Sequence, residues 1–230
     1  MLKLLVFDLD GTLADTRKDL AISVNQALEG VGRSPLPLET VIAFLGDGAR
    51  NLVTRSLEAA GDGSASHLEI EATLEGFLEH YRGQCLQATQ AYPGTEAALR
   101  ALASYRKAVL SNKPGIPART IIDGLGLAPH FVQLIGGDNP LGLKPDPSAL
   151  RALMEEEKVL PEETLMIGDG VQDLRTARRA GTRFLGFLNG MADRQAMLAE
   201  HPQATYASMD DLPKAVAAIA AIAQGAGARA

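Results

Sequence analysis

Short apolar segments alternate with helical patterns along most of this 230-residue chain. The first, residues 3–7, ends at Asp8 and is soon followed by Gly11, which favours a strand over a helix. Similar segments occupy residues 108–110, 132–135, 165–167 and 183–187, with helical patterns between them at 95–102, 147–153 and 173–180. Such alternation places helices on both faces of a buried parallel sheet. The sequence therefore predicts an α/β fold with a doubly wound parallel sheet.

The interval from residue 16 to about residue 82 departs from this alternation, because it contains helical patterns and no strand-like segment. Helical periodicity covers residues 20–31, 38–44, 49–59 and 67–81. At its start, Thr16 and Asp19 have the spacing of a capping box, which predicts that their side chains cap the first helix. We predict a helical cap of residues 15–83 inserted into a core domain of residues 1–14 and 84–230.

Composition and charge exclude several classes of function. The formal net charge is −6, tryptophan is absent and aromatic residues make up 4% of the chain, which argues against nucleic-acid binding. No apolar segment approaches the ~20 residues of a membrane-spanning helix, and the N-terminus lacks the zones of a signal peptide. Cys85 is the only cysteine and has no disulfide partner. We expect a cytoplasmic protein, a monomer or homodimer, with no nucleic-acid or membrane partner.

Two carboxylates follow the first predicted strand. Asp8 and Asp10 lie two residues apart in the sequence Phe-Asp-Leu-Asp-Gly-Thr-Leu that spans residues 7–13. Where a parallel strand ends and the backbone turns, both side chains can point into the crevice beyond the sheet edge. Asp, Gly and Thr are also common in turns, so a turn without chemistry is the alternative.

A second acidic pair follows the predicted strand at residues 165–167. Asp169 stands at the strand end, whereas Asp173 stands at a helix start, where capping or the helix dipole is its alternative role. If the two strand ends are neighbours, four carboxylates converge and repel one another unless a cation neutralises them. Hard, all-oxygen ligands of this kind suit Mg²⁺.

Hydroxyl, amide and ammonium groups complete the candidate site. Ser111 and Asn112 follow the predicted strand at residues 108–110, where a hydroxyl and backbone N–H groups can hold phosphate oxygens. Lys144 precedes a proline and is therefore held in extended backbone. Each feature alone is also typical of an ordinary loop or helix start, so these residues gain meaning only together with the acidic pairs.

Taken in order, the four motifs resemble those of the haloacid dehalogenase-like hydrolase superfamily: DxDGT, a Ser or Thr after an apolar strand, a Lys, and GDxxxD. The resemblance implies a Rossmann-like core with sheet order 3-2-1-4-5, a helical cap, and a Mg²⁺-dependent phosphatase acting on a small phosphorylated metabolite through an aspartyl-phosphate. It makes Asp8 the nucleophile and Asp10 the general acid/base. It assigns phosphate binding to Ser111, Asn112 and Lys144, and metal binding to Asp8, Asp169 and the Asp10 carbonyl, with Asp173 supporting these ligands.

Further segments are similar to those of phosphoglycolate phosphatases, and this similarity covers almost the whole chain. They are residues 7–15, 44–49, 92–94, 111–114, 136–138 and 144–147. The implied reaction is hydrolysis of 2-phosphoglycolate to glycolate and phosphate. One departure is Gly170, where relatives often carry Ser or Thr after the metal-binding Asp.

The predicted cap carries most of the acidic charge. Residues 15–83 contain 6 basic and 11 acidic residues, so an anionic substrate needs local recognition. Arg50 follows the glycine-rich segment that ends at Gly48, and a guanidinium can bind a carboxylate with two hydrogen bonds. We predict that Arg50 and Gly48 recognise the non-phosphoryl end of the substrate. The alternative is an exposed Arg50 at a helix start.

Other functions fit parts of this pattern. A broad-specificity sugar-phosphate phosphatase, a pyrophosphatase or a sugar phosphomutase of the same superfamily would use the same core. A dehalogenase needs neither a metal nor a second acid, so Asp10 and Asp169 argue against it. A non-enzymatic receiver-like module also clusters Asp, Ser or Thr, and Lys, but has about half this length and no insert after its first strand.

Overall fold

A six-stranded sheet forms the centre of the protein. The computed structural model describes residues 1–61 and 63–227, so Asp62 of the predicted cap and residues 228–230 of the predicted core lie outside the described residues. The strands are β1 (Leu4–Phe7), β2 (Ala14–Asp15), β3 (Gln90–Ala91), β4 (Arg106–Leu110), β5 (Gln133–Ile135), β6 (Thr164–Gly168), β7 (Arg183–Phe187) and β8 (Ala204–Tyr206). All of them except β2 and β3 belong to the central sheet.

The strands of the central sheet run parallel in the order β5-β4-β1-β6-β7-β8. Phe7 at the end of β1 is level with Val109 of β4 on one side and Ile167 of β6 on the other. The loops that leave these three strands therefore start at the same sheet edge. The predicted parallel sheet and its order are confirmed, and β8 adds an edge strand that the sequence analysis missed.

Helices cover both faces of the sheet. They are α1 (Arg17–Gly30), α2 (Leu38–Ile42), α3 (Ala49–Ala59), α4 (His67–Gln84), α5 (Thr95–Ala101), α6 (Gly115–Gly124), α7 (Ser148–Glu157), α8 (Val171–Ala180), α9 (Arg194–Ala199) and α10 (Leu212–Gly227). Leu5 and Phe7 of β1 belong to one buried apolar cluster, and Leu4 and Val6 to another, as expected when successive strand residues point to opposite faces. Within residues 1–61 and 63–227, every helix falls short of the length or the apolar content that crossing a bilayer requires.

Helices α1 to α4 lie between β2 and β3 in the chain. These two short strands pair antiparallel, with Ala14 opposite Ala91 and Asp15 opposite Gln90, so the chain leaves and re-enters the core through one two-stranded ribbon. Within this segment α1 packs along α4. The helical character predicted for residues 16–82 is confirmed, whereas the ribbon was not predicted.

The capping box predicted at Thr16 and Asp19 is wrong. Thr16 makes no side-chain cap, and its Oγ1 instead donates to Asp10 Oδ1 at 2.6 Å. The Asp19 carboxylate accepts the backbone N–H groups of Ala88 and Thr89 at 2.8 to 3.0 Å. Neither side chain binds the N–H groups of its own helix. Both instead bind residues of the predicted core, and these hydrogen bonds fix the start of α1 to it.

Candidate active site

The carboxyl ends of β1, β4 and β6 face the cap helices across a cavity of about 220 Å³. The sequence-predicted site residues that line it are Asp8, Asp10, Gly48, Ser111, Asn112, Lys144, Asp169 and Asp173. Arg50 is absent from this lining. The cap also contributes apolar side chains, among them Leu20, Leu52 and Phe77. The cavity is therefore charged on its core side and largely apolar on its cap side.

Three buried carboxylates converge on the core side. One oxygen of each of Asp8, Asp169 and Asp173 lies within 4.8 Å of the other two. Burial raises the pKa of Asp8 to about 8; the Lys144 ammonium opposes this rise, and the neighbouring carboxylates add to it. Burial, reinforced by the Asp173 carboxylate, also raises the pKa of Asp169 to about 6. A cation at this cluster would stabilise the charged carboxylates.

The hydrogen bonds show which carboxylate oxygens stay open to the cavity. Asp169 Oδ2 accepts the backbone N–H groups of Met191 and Ala192 at 2.7 and 2.9 Å, while its Oδ1 receives, among residues 1–61 and 63–227, only a long hydrogen bond of 3.3 Å from Thr12. On Asp8, Oδ1 has two partners and Oδ2 has none among the described residues. Asp169 therefore presents Oδ1 to a cation beside the Asp8 carboxylate, and such oxygen donors fit a divalent metal ion.

Asp173 differs from the other two carboxylates. Its Oδ1 lies 2.6 Å from Lys144 Nζ, and its Oδ2 accepts the N–H of Gly170, the N-cap residue that precedes α8, at 3.1 Å. Both oxygens are thus engaged, and the helix-start role considered from the sequence is also present. Lys144 Nζ contacts Asp8 Oδ1 as well, at 2.7 Å. Burial lowers the pKa of Lys144, but the two carboxylates outweigh it and hold that pKa above its ordinary value.

The Asn112 side chain holds neighbouring backbone in place. Its Oδ1 accepts the N–H of Lys144 at 2.7 Å, and its Nδ2 donates to the carbonyl oxygens of Lys144 and Gly46, each at 3.0 Å. The amide therefore joins the loop that carries Lys144 to the cap loop that carries Gly46. Any contact of Asn112 with phosphate is left to its backbone N–H. Beside it, Ser111 Oγ accepts the N–H of Lys113 at 3.3 Å.

Both oxygens of Asp10 are held from opposite sides. Oδ1 accepts the Thr16 hydroxyl at 2.6 Å, and Oδ2 lies 3.0 Å from the ammonium of Lys113. That ammonium also donates to the Tyr81 hydroxyl of α4 at 2.8 Å. The Lys113 side chain is only 2% exposed. Asp10 is thus fixed by a hydroxyl on one oxygen and a buried ion pair on the other.

The surroundings of Gly11 explain why the first motif has a glycine at this position. It has φ of +80°, and a Cβ built on it would lie 2.2 Å from Asp169 Oδ2. Glycine is therefore required both by the left-handed backbone and by the close approach of the carboxylate.

We expect Gly11→Ala to abolish most of the activity, because the added methyl would displace Asp169. Gly32→Ala is the matched control: Gly32 also has positive φ, +74°, but a Cβ there would have no neighbour within 4 Å among the described residues beyond the two adjacent in the chain. The control should lose only the strain of a left-handed L-residue, about 1–2 kcal/mol. Urea unfolding and initial rates measure both effects. Equal losses of stability with full activity in both variants would contradict this account of Gly11.

Arg50 and Gly48 differ in their relation to the cavity. Gly48 lines it and precedes α3. The Arg50 guanidinium instead binds both oxygens of Glu71, at 2.7 and 3.1 Å, and its side chain is 55% exposed. The structure therefore shows the exposed alternative for Arg50, because Glu71 supplies the carboxylate that the guanidinium binds.

Comparison with known proteins decides the family of this fold and site. A family model for haloacid dehalogenase-like hydrolases matches residues 2–181. The chain belongs to this family. This hydrolase is 40% identical to the phosphoglycolate phosphatase of Rhodospirillum rubrum over 186 residues, which cover 79% of this chain and 77% of that protein. It is 34% identical to the phosphoglycolate phosphatase of Vibrio parahaemolyticus over 221 residues, which cover 94% and 96% of the two chains.

A solved structure is similar over the same extent. The hydrolase superposes on a predicted phosphoglycolate phosphatase from Haemophilus somnus with a TM-score of 0.88 and 28% identity, over 93% of this chain and 97% of that chain. Together with the relatives above, this similarity confirms the prediction from the four motifs that the chain is a phosphatase of the haloacid dehalogenase-like superfamily.

Sequence analysis of the hydrolase missed Lys113, Thr16 and Tyr81 as residues of the site. Lys113 directly follows Asn112 in the loop after β4, and this position was the signal that could have identified it. Tyr81 gave no such signal, because an aromatic side chain at helical spacing is usually a packing residue. Thr16 was assigned to a helix cap.

Proposed function

We propose that this hydrolase converts 2-phosphoglycolate and water into glycolate and phosphate, with Mg²⁺ as its cofactor. The observation that carries the proposal is the meeting of all four motifs at one cavity, in a chain whose relatives over most of its length are phosphoglycolate phosphatases. In this proposal residues 1–14 and 84–230 form the catalytic core. Residues 15–83 form the cap over it.

Asp8 is the nucleophile of the proposed reaction. Its Oδ1 accepts the N–H of Leu9 and contacts Lys144 Nζ, each at 2.7 Å, which leaves Oδ2 to attack phosphorus in line. The bond between phosphorus and the ester oxygen breaks as the aspartyl-phosphate forms. This covalent route divides one difficult hydrolysis into two easier transfers.

Asp10 moves the proton in both transfers. It protonates the leaving oxygen of glycolate, then takes a proton from the water that attacks the aspartyl-phosphate. That second attack releases phosphate and restores the Asp8 carboxylate. Thr16 and Lys113 hold the two oxygens of Asp10 and so fix its orientation for both tasks.

The phosphoryl oxygens need positive charge and hydrogen-bond donors as the reaction proceeds. Lys144, the Ser111 hydroxyl and the Asn112 backbone N–H supply these, because all three residues line the cavity and Lys144 Nζ contacts Asp8. Asp8, Asp169 and the Asp10 carbonyl are the groups that would hold the metal ion. Bound there, Mg²⁺ would offset the repulsion between the carboxylates and the anionic phosphoester.

We expect 2-phosphoglycolate to give the highest kcat/KM in a panel that includes glucose 6-phosphate, pyrophosphate and p-nitrophenyl phosphate. The cavity of about 220 Å³ favours a small substrate, since pockets for drug-sized ligands span roughly 300–1,000 Å³. Recognition of the carboxylate should raise kcat/KM by at least about tenfold. Phosphate release with Mg²⁺ measures this. A sugar phosphate or pyrophosphate that surpasses 2-phosphoglycolate would contradict the substrate and leave the phosphatase chemistry in place.

A further inference from the structure

Lys113 is a buried cation of the cavity whose role the four motifs leave unassigned. In the part of the chain that the structure describes, Lys144 and Lys113 are the only lysine or arginine residues in the cavity lining. Lys144 is engaged by two carboxylates of the acidic cluster. Lys113 has one carboxylate partner, Asp10, and one neutral partner, Tyr81. An ammonium with few anionic partners in a buried site is suited to bind an anionic ligand.

The position of Lys113 matches the geometry of the proposed substrate. In 2-phosphoglycolate a single methylene joins the leaving oxygen to the carboxylate, so the two groups are close neighbours. Asp10 must reach the leaving oxygen, and Lys113 Nζ lies only 3.0 Å from Asp10 Oδ2. A cation in contact with the general acid is therefore within reach of the carboxylate.

Tyr81 brings a second donor to the same place from the cap. Its ring stacks on Phe77 with centroids 5.5 Å apart and planes at 10°, and Lys113 Nζ lies 4.4 Å from its ring centroid. Burial raises the pKa of the Tyr81 hydroxyl, so the hydroxyl keeps its proton and can donate it. Arg50, in contrast, binds Glu71 outside the cavity.

We infer that Lys113, assisted by the Tyr81 hydroxyl, binds the carboxylate of the substrate and so determines specificity. This inference rests on the proposed function and names the groups that would recognise the carboxylate of 2-phosphoglycolate. Lys113 belongs to the core and Tyr81 to cap helix α4, so recognition of the carboxylate requires the cap to be in place over the site.

The test compares 2-phosphoglycolate with 2-hydroxyethyl phosphate, which has the same ester linkage but an alcohol in place of the carboxylate. The variants are Lys113→Met, Lys113→Arg and Tyr81→Phe. Lys107→Met is the matched control, because Lys107 is a buried lysine like Lys113 but lies within β4 and donates to the carbonyl oxygens of Leu102 and Tyr105, outside the cavity. The quantity compared is the ratio of the two kcat/KM values.

We expect Lys113→Met to lower this ratio roughly tenfold to hundredfold, the effect of losing a charge-assisted hydrogen bond, mainly through KM for 2-phosphoglycolate. Lys113→Arg should restore part of the ratio, Tyr81→Phe should lower it several-fold, and Lys107→Met should leave it unchanged. Circular dichroism checks folding. If Lys113→Met fails to fold, Tyr81→Phe still tests the inference, because it removes a single oxygen.

Two results would overturn the inference while the proposed function stands. Equal losses on both substrates in Lys113→Met would mean that Lys113 only positions Asp10. A selective loss in Arg50→Met, with the ratio intact in Lys113→Met, would assign the carboxylate to Arg50. Failure of the proposed function looks different, because the wild-type enzyme would then show no preference for 2-phosphoglycolate over 2-hydroxyethyl phosphate, and the inference would fall with it.

Discussion

Replacement of Asp8 by Asn is expected to lower kcat by roughly 10⁵-fold or more, as loss of a nucleophile does when catalytic groups act as a unit. An amide is nearly isosteric with the carboxylate but cannot attack phosphorus. The fold should persist, because the Asn oxygen can still accept the N–H of Leu9 and the Lys144 ammonium, which Asp8 Oδ1 binds in the native protein. Phosphate release under saturating substrate gives kcat, and circular dichroism checks the fold.

Asp123→Asn is the matched control for this substitution. Asp123 is exposed on α6 and lies outside the cavity lining. The same chemical change there should leave kcat within a factor of about two, because exposed sites away from special features tolerate substitution. An Asp8→Asn variant that is folded and retains more than about one hundredth of wild-type kcat would contradict the role of Asp8, since nucleophile loss costs far more.

Removal of divalent metal is expected to reduce turnover about 10³-fold, because a bound metal ion contributes several kcal/mol of charge stabilisation. Asp8, Asp169 and Asp173 are buried together, and burial with mutual repulsion raises the pKa values of the first two. Dialysis against EDTA followed by titration with Mg²⁺ measures the loss and its recovery. Ca²⁺ should restore little activity, because it takes more ligands at longer distances and competes for the attacking oxygen of Asp8.

A direct binding measurement separates the metal from the chemistry. Isothermal titration calorimetry of the EDTA-treated protein should show one Mg²⁺ site in the wild type, weakened in Asp169→Asn and unchanged in Asp123→Asn. The reason is that, in the described part of the chain, Asp169 Oδ1 has only the long hydrogen bond from Thr12 and is left to bind a cation. Undiminished turnover after thorough chelation, or equal rates with Ca²⁺ and Mg²⁺, would contradict the proposed cofactor.

The elements that sequence predicted best are the ones whose signal is long and local. Strand β7 was predicted at residues 183–187 and helix α3 at residues 49–59, and both have those bounds in the structure. The β2–β3 ribbon has only two residues in each strand, and β8 consists of Ala, Thr and Tyr without a Val, Leu or Ile, so neither leaves a recognisable apolar segment. Their pairing depends on distant parts of the chain, which local periodicity does not report.

The same distinction applies to the site. Asp8 and Asp169 stand directly after buried strands, so topology alone brings them to one sheet edge. Thr16 was suited to cap the helix that follows it, but its hydroxyl instead donates to the Asp10 carboxylate, six residues away in the sequence. Arg50 had the right chemistry beside a glycine-rich loop, yet no sequence pattern indicated that Glu71 would bind it. Side-chain partners brought together by folding are the part that sequence could not supply.

The central claim, that the phosphoryl group passes through Asp8, is tested most directly by trapping it there. Borohydride reduces an acyl phosphate to an alcohol, so wild-type protein treated during turnover of 2-phosphoglycolate should carry homoserine at position 8. Peptide mass spectrometry locates the change, and neither Asp8→Asn nor protein without substrate should show it. A modification at another residue, or an unmodified position 8 in protein that releases glycolate in a burst, would contradict the claim.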